Sequence, residues 1–179
     1  MTLNTNIPVL ILEDFETRLP GRTGRLSLRK GLRLELPLRE AIPLLRKGLA
    51  MVDVSKLYDI KELNKIRWIE SRDTRALHKL DEYFYFKIAL VLNALKEEEK
   101  TDERTLELYR TVVLDIIKLR LQKILRSITA SQEPDKELMS KLSWEERILY
   151  VKMCHTVNEW YRSMLEFLER GDPIGDAGA

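Results

Sequence analysis

Chemically reactive side chains are scarce in this chain of 179 residues, which holds one cysteine and two histidines. A lone Cys154 cannot close an internal disulfide, which fits a reducing, cytoplasmic setting. No C-x-x-C or H-x-x-x-H spacing occurs, so zinc has no ligand set. Cys154 and His155 adjoin, but neighbours on a helix diverge by about 100° and do not form a nucleophile–base pair. There is no G-x-x-x-x-G-K-S/T loop for nucleotide phosphates. "GRTG" (Gly21 to Gly24) opens no helix and reads as a turn. No run of ~18 apolar residues is present, so no membrane-spanning helix is expected. No charged-then-apolar leader opens the chain. Taken together, these absences predict no catalytic residue, no metal and no cofactor. The expected mode of action is binding.

Charge is plentiful but balanced, with 31 basic against 29 acidic residues and a net charge of +2. The distribution is uneven. Residues 1–54 read as a small β-rich module. "IPVLIL" (Ile7 to Leu12) is a strand, and "RLSLR" and "LRLEL" alternate leucine with polar residues around Lys30–Gly31, as in a hairpin. Pro37 suits the first turn of a short helix carrying Leu38, Ile42 and Leu45, Gly48 can end it, and "LAMVDV" is a closing strand. Residues 55–171 read as a helical bundle. Asp59 and Glu62 have capping-box spacing, a helix of about 20 residues is expected near Asp73, Thr101 or Asp102 can cap the next, and "SWEE" (Ser143 to Glu146) opens the last. Residues 129–137 form a polar connection, and residues 172–179 carry no packing signal and are expected to be disordered. The fold class is therefore mainly α, a helical bundle preceded by a small β-rich (α+β) domain.

Three of these segments carry more than their own folding requires. "YFYFKIALVLNAL" (Tyr83 to Leu95) is apolar nearly all round, so either the domain's own core or another subunit must cover it. The residues that would face such a partner are Tyr83, Phe84, Phe86, Leu90 and Val91. On the helix following Asp102, a wheel places Tyr109, Val113, Leu114, Ile117, Leu121, Ile124 and Ile128 on one apolar arc, with Arg110 and Arg120 inside it and Glu107, Lys118, Gln122 and Arg126 opposite. The two arginines either snorkel to the edge or pair with acids of another helix or subunit. The last helix carries an apolar stripe of Leu149, Met153, Val157, Trp160, Met164 and Leu168, and a second of Trp144, Ile148, Val151 and His155. Between Arg18 and Lys47, nine basic residues face two acids. Arg25, Arg29 and Arg33 of the hairpin are placed to touch phosphates or an acidic protein surface, or else form a solvated basic face.

These stretches resemble the GINS family, the replication-fork assembly factor. "GLRLELPLREAIPLLRKGLAMVDV" is similar to the family's small β domain, although Leu38 stands where a tryptophan often follows "LP". "LHKLDEYFYFKIALVLNAL" resembles its leucine-then-"YF-x-I" helix. "YRTVVLDIIKLRLQKILRSI" resembles its most telling helix, with Arg110, Asp115, Ile116, Arg120 and Lys123 in the expected places. "LSWEERILY" resembles the start of a later helix. A β domain ahead of the helical domain resembles the archaeal subunit corresponding to the second and third eukaryotic Psf subunits. The resemblance implies a non-enzymatic scaffold in a tetramer of a paralogous GINS subunit and a second copy of this chain. It also implies contacts with the MCM helicase and a RecJ/Cdc-type protein, with primase or polymerase as further partners, and only weak or indirect contact with DNA. Arg110, Arg120 and Lys123 would then serve in subunit interfaces or buried pairing. The competing expectation is a stand-alone nucleic-acid-binding protein that uses the basic hairpin.

Overall fold

The structure, a computed structural model, describes residues 5–18, 24–97, 102–130 and 134–170. The expected disorder of residues 172–179, the turn at Gly21 and the cap at Thr101 lie outside them. Strands β1 (Asn6–Ile11), β2 (Phe15–Thr17), β3 (Leu26–Leu28), β4 (Arg33–Pro37) and β5 (Ala50–Val52) occupy the first third, together with helix α1 (Leu38–Arg46). Helices α2 (Ile60–Arg72), α3 (Phe84–Glu97), α4 (Glu103–Ala130), α5 (Lys136–Lys141) and α6 (Trp144–Arg170) follow. The fold is mainly α with a small strand-containing region. Two compact units are present. One comprises residues 1–65 and 83–112, and the other residues 66–82 and 113–179, so α2 and α4 contribute to both.

In the first unit β1 is the middle strand of an antiparallel sheet ordered β4-β1-β5. Ile7, Val9 and Ile11 alternate inward, meet Leu36 and Ala50, and are covered by Leu38, Ala41 and Leu44 of α1. Pro8 is tolerated in this middle strand because the β5 ladder begins only at Val9. At Pro8 the only ladder-side demand is met by its carbonyl, which accepts from the Asp53 N–H at 2.9 Å. Gly48, at φ +69°, closes α1 as expected.

The expected Lys30–Gly31 hairpin is not formed. The turn exists, with Gly31 at φ +84° and Leu32 N–H donating to the Arg29 carbonyl, but its two arms diverge. β4 pairs with β1, and β3 pairs instead with β2, a three-residue strand (Phe15–Thr17) too short to show periodicity. The turn is fastened to the end of β1, where Gly31 N–H donates to the Ile11 carbonyl and Ile11 N–H to the Leu32 carbonyl. A run of β-branched residues along β1 offers β4 a longer apolar partner than β3 can.

α3 begins at Phe84, later than the helix expected near Asp73. Phe84 lies edge-on to Tyr58, and Phe86 and Leu90 pack on the β core. The apolar excess of this helix is thus taken up in large part by the chain's own β module. In the second unit, residues 73–82 stay non-helical because their backbone groups serve other elements. Leu80 N–H donates to the Lys141 carbonyl, and the Glu82 carbonyl accepts from Trp144 N–H. Asp59 and Glu62 exchange the two bonds of a capping box, Asp102 caps α4 through Thr105 N–H, and Ser143 and Glu146 form a second box. α5 arises within what reads in sequence as a polar connection, capped by Asp135.

Tyr150 is buried with Leu77, Ile124, Ile128, Leu142 and Cys154. Its hydroxyl accepts from Asp135 N–H at 3.1 Å, and burial pushes the phenol's pKa above its ordinary value of 10.0. A raised folded-state pKa means that stability is held below about pH 10 and lost as the pH rises further. Urea unfolding between pH 9 and 11 should show that decline, and Tyr150→Phe should flatten it. At Ser143, which is fully buried, Ser143→Ala should cost about 1–2 kcal/mol in the same assay.

Candidate functional site

α4 presents a different face to the interior from the one a simple wheel suggests. Tyr109, Val112, Val113, Ile116, Arg120, Lys123, Ile124 and Ile128 are buried, whereas Leu114, Ile117 and Leu125 are exposed. Two cations lie on this interior face, Arg120, which the wheel also places on the arc, and Lys123, which it does not. An unpaired buried charge there is strongly destabilising, so each needs partners.

Arg120 has them at all five N–H positions. Nε donates to Glu146 Oε1 at 2.6 Å and one terminal nitrogen to Glu146 Oε2 at 2.8 Å. That same nitrogen donates to the Lys141 carbonyl at 3.3 Å, and the other terminal nitrogen donates to Glu70 Oε1 at 2.5 Å and to the His78 carbonyl at 2.9 Å. Lys123 Nζ donates to Glu70 Oε2 and to the Ala76 carbonyl. Glu70 Oε1 also accepts from His78 N–H. Two cations and two anions therefore neutralise one another where Arg120 is 0% exposed. The planar fork of arginine explains the bidentate grip on Glu146. Glu146 serves at once as the α6 capping residue and as a counter-ion. Glu70 was not singled out in the sequence. The signal for it was there: it lies seven residues after buried Leu63, on the inward face of α2.

The other predicted residues are dispersed. Arg110 is half-exposed and pairs with Glu107 at 3.5 Å, so it takes no part in the cluster. Phe84 and Val91 are closed within the chain, while Tyr83, Phe86 and Leu90 are half-buried. Arg25 faces Glu16 at 3.9 Å, Arg29 is exposed, and Arg33 reaches Ser55 at 3.1 Å and Asp53 at 3.5 Å. Because β3 and β4 belong to different sheets, these three arginines do not form the single stripe of a hairpin. Cys154 is buried and His155 exposed beside Glu159, so the two are not brought together. Among the described residues no group of His, Cys, Asp and Glu could hold a metal ion, and no helix is long and apolar enough to cross a membrane.

Apolar surface collects on α6. Its expected stripe is core only where Met153 and Val157 pack against the Tyr150 cluster. From Glu159 to Glu169 Met164 alone is half-buried, and Trp160, Tyr161, Leu165, Phe167 and Leu168 are exposed. Leu168 is 72% and Leu165 57% exposed.

The sequence model of the GINS complex protein helical bundle domain matches residues 57–165. The chain belongs to the GINS family. No curated protein matches it by sequence. The matched region of this GINS protein contains Glu70, Arg120, Lys123 and Glu146 and most of the exposed α6 surface, and the β module precedes it. Membership makes it a GINS subunit of DNA replication, with other GINS subunits as partners.

Removing Arg120 leaves Glu70 and Glu146 buried without their main counter-ion. Arg120→Ala should lose about 3–5 kcal/mol in urea unfolding followed by circular dichroism. Arg120→Lys should not restore it, since an ammonium cannot span both carboxylates and two carbonyls. Arg110→Ala should change stability by less than ~0.5 kcal/mol.

Proposed function

We propose that this GINS protein is a non-catalytic scaffold subunit of a four-chain assembly, two copies paired with two of a paralogous subunit. The last three turns of α6 carry this reading. They expose three large aromatic residues and two leucines with little cover from the chain itself, more than a solitary soluble domain keeps bare. Each such side chain contributes roughly 1.5–3 kcal/mol in gross terms when buried, partly offset by the cost of association. A sister helical domain laid against α6 supplies that cover. Tyr83, half-buried just before α3, is assigned to the same class of partner.

The finer assignment follows the order of the chain. A β module of residues 1–54 ahead of a helical domain of residues 55–171 fits the archaeal subunit type, acting in the cytoplasm at the replication fork. The assembly would join the MCM helicase to a RecJ/Cdc-type partner, with the β module as a docking unit. Arg25 and Arg33 already face acids of their own module, which favours this reading over a nucleic-acid grip there.

Light-scattering mass of the chain alone and mixed with its paralogous subunit tests the proposal. Mixing should yield a four-chain species, and the pair Trp160→Asp and Leu165→Asp should abolish it while leaving the helical content intact. A monomer that ignores the paralogue would refute the scaffold reading.

A further inference from the structure

The second unit carries an exposed aromatic among cations that the assembly reading leaves unused. Trp68, on α2, is 56% exposed, and the Arg72 guanidinium lies 4.7 Å from its ring centroid. Positions four apart share a helix face, and cation–π contact holds the ring in place without hiding it. α2 and α4 are tied in register here. Arg67 meets Asp115, Glu70 meets Lys123, and Arg126 donates to the Thr74 carbonyl at 2.9 Å. Lys118, Gln122 and Arg126 recur at four-residue intervals along α4, all exposed, and read in sequence as an ordinary solvated face. Ser71 and Thr74 from one side and Gln122 and Arg126 from the other line a shallow hollow.

Charge on this surface is one-sided. The exposed ionic groups are Arg72, Arg75, Lys118 and Arg126, against Asp73, and the part-exposed Arg67 and Asp115 neutralise each other. The Asp73 carboxylate accepts from Arg75 and Ala76 N–H at 2.8 and 3.0 Å. Glu70 is already neutralised by Arg120 and Lys123. The hollow measures about 40 Å³, room for a water but far below the ~300 Å³ of small-molecule pockets. An extended polyanion lying over the surface fits where an enclosed ligand does not.

We infer that this face binds single-stranded nucleic acid, one base stacking on Trp68 while the backbone phosphates run along Arg72, Arg75 and Arg126. An exposed ring flanked by guanidinium groups is the arrangement that takes a base and its phosphate together. An acidic peptide would use the cations and leave the ring idle. The inference goes beyond the scaffold reading and does not rest on it.

Fluorescence anisotropy of a labelled oligothymidylate, titrated with the full chain at several salt concentrations, is the test. Trp68→Ala should weaken binding about tenfold and Trp68→Phe much less. Arg72→Ala combined with Arg126→Ala should flatten the log–log salt slope by about 1.4, at ~0.7 per phosphate released. Arg29→Ala, on the β module, should change neither. Melting curves by circular dichroism identify which variants are folded, and Trp68→Phe retains a ring if Trp68→Ala is not. Binding indifferent to Trp68→Ala in a folded protein overturns the inference. So does polyglutamate that competes as well as the oligonucleotide and is equally indifferent to the ring, since the surface would then serve an acidic protein. Failure here leaves the mass measurement of the four-chain species untouched.

Discussion

Burial of one guanidinium organises the second unit. Arg120 sits where a leucine would be expected, and a charge there is tolerable only if every N–H finds an acceptor. The acceptors come from Glu70 at the end of α2, the His78 carbonyl in the following loop, the Lys141 carbonyl at the end of α5, and Glu146 in the first turn of α6. No two of these lie on the same element. Satisfying Arg120 therefore sets where α2, the loop, α5 and α6 stand against α4. Lys123 repeats the requirement one turn later through Glu70 and the Ala76 carbonyl.

Replacing a whole buried ion cluster by well-packed apolar residues is often neutral or stabilising. The effect of this cluster accordingly lies in discrimination among arrangements. Apolar contacts such as Leu77 against Ile124 tolerate sliding, and a five-bonded arginine does not. That property suits a subunit whose outer surface must present a defined shape. Part of α6 is built into the Tyr150 core and part is left bare, and the capping box that starts the helix shares Glu146 with Arg120. The residue that begins α6 also orients it, so the placement of its exposed end is tied to the interior charge network.

Much of this was legible along the chain, because local signals report local structure. The boxes at Asp59–Glu62 and Ser143–Glu146 and the glycine after α1 each arise from interactions spanning a few residues. The failures share a cause as well. The Lys30–Gly31 turn is real, yet its strands pair elsewhere, because pairing depends on which distant edge offers the longer apolar match. The stretch after Asp73 has helical composition but spends its backbone groups on Arg120, Lys123, Lys141 and Trp144. The helical wheel of α4 placed Arg120 on the buried arc, where acids of other helices do pair with it, but hydrophobicity alone could not show that Lys123 would join it inside while Leu114 and Ile117 of that arc lie outside.

By itself the sequence determined the kind of protein this is: a chain with almost no reactive side chains, a β-rich front, long helices behind it, and a GINS pattern across residues 57–165. Composition and short-range spacing are properties of the chain before it folds, so they can be read there. Only tertiary structure decided which apolar surface remains bare. The excess of α3 is absorbed largely by the β module, whereas that of α6 is left uncovered over its last turns. Exposure is a relation between segments far apart in sequence, and it exists only once Glu70, Arg120 and Glu146 have met.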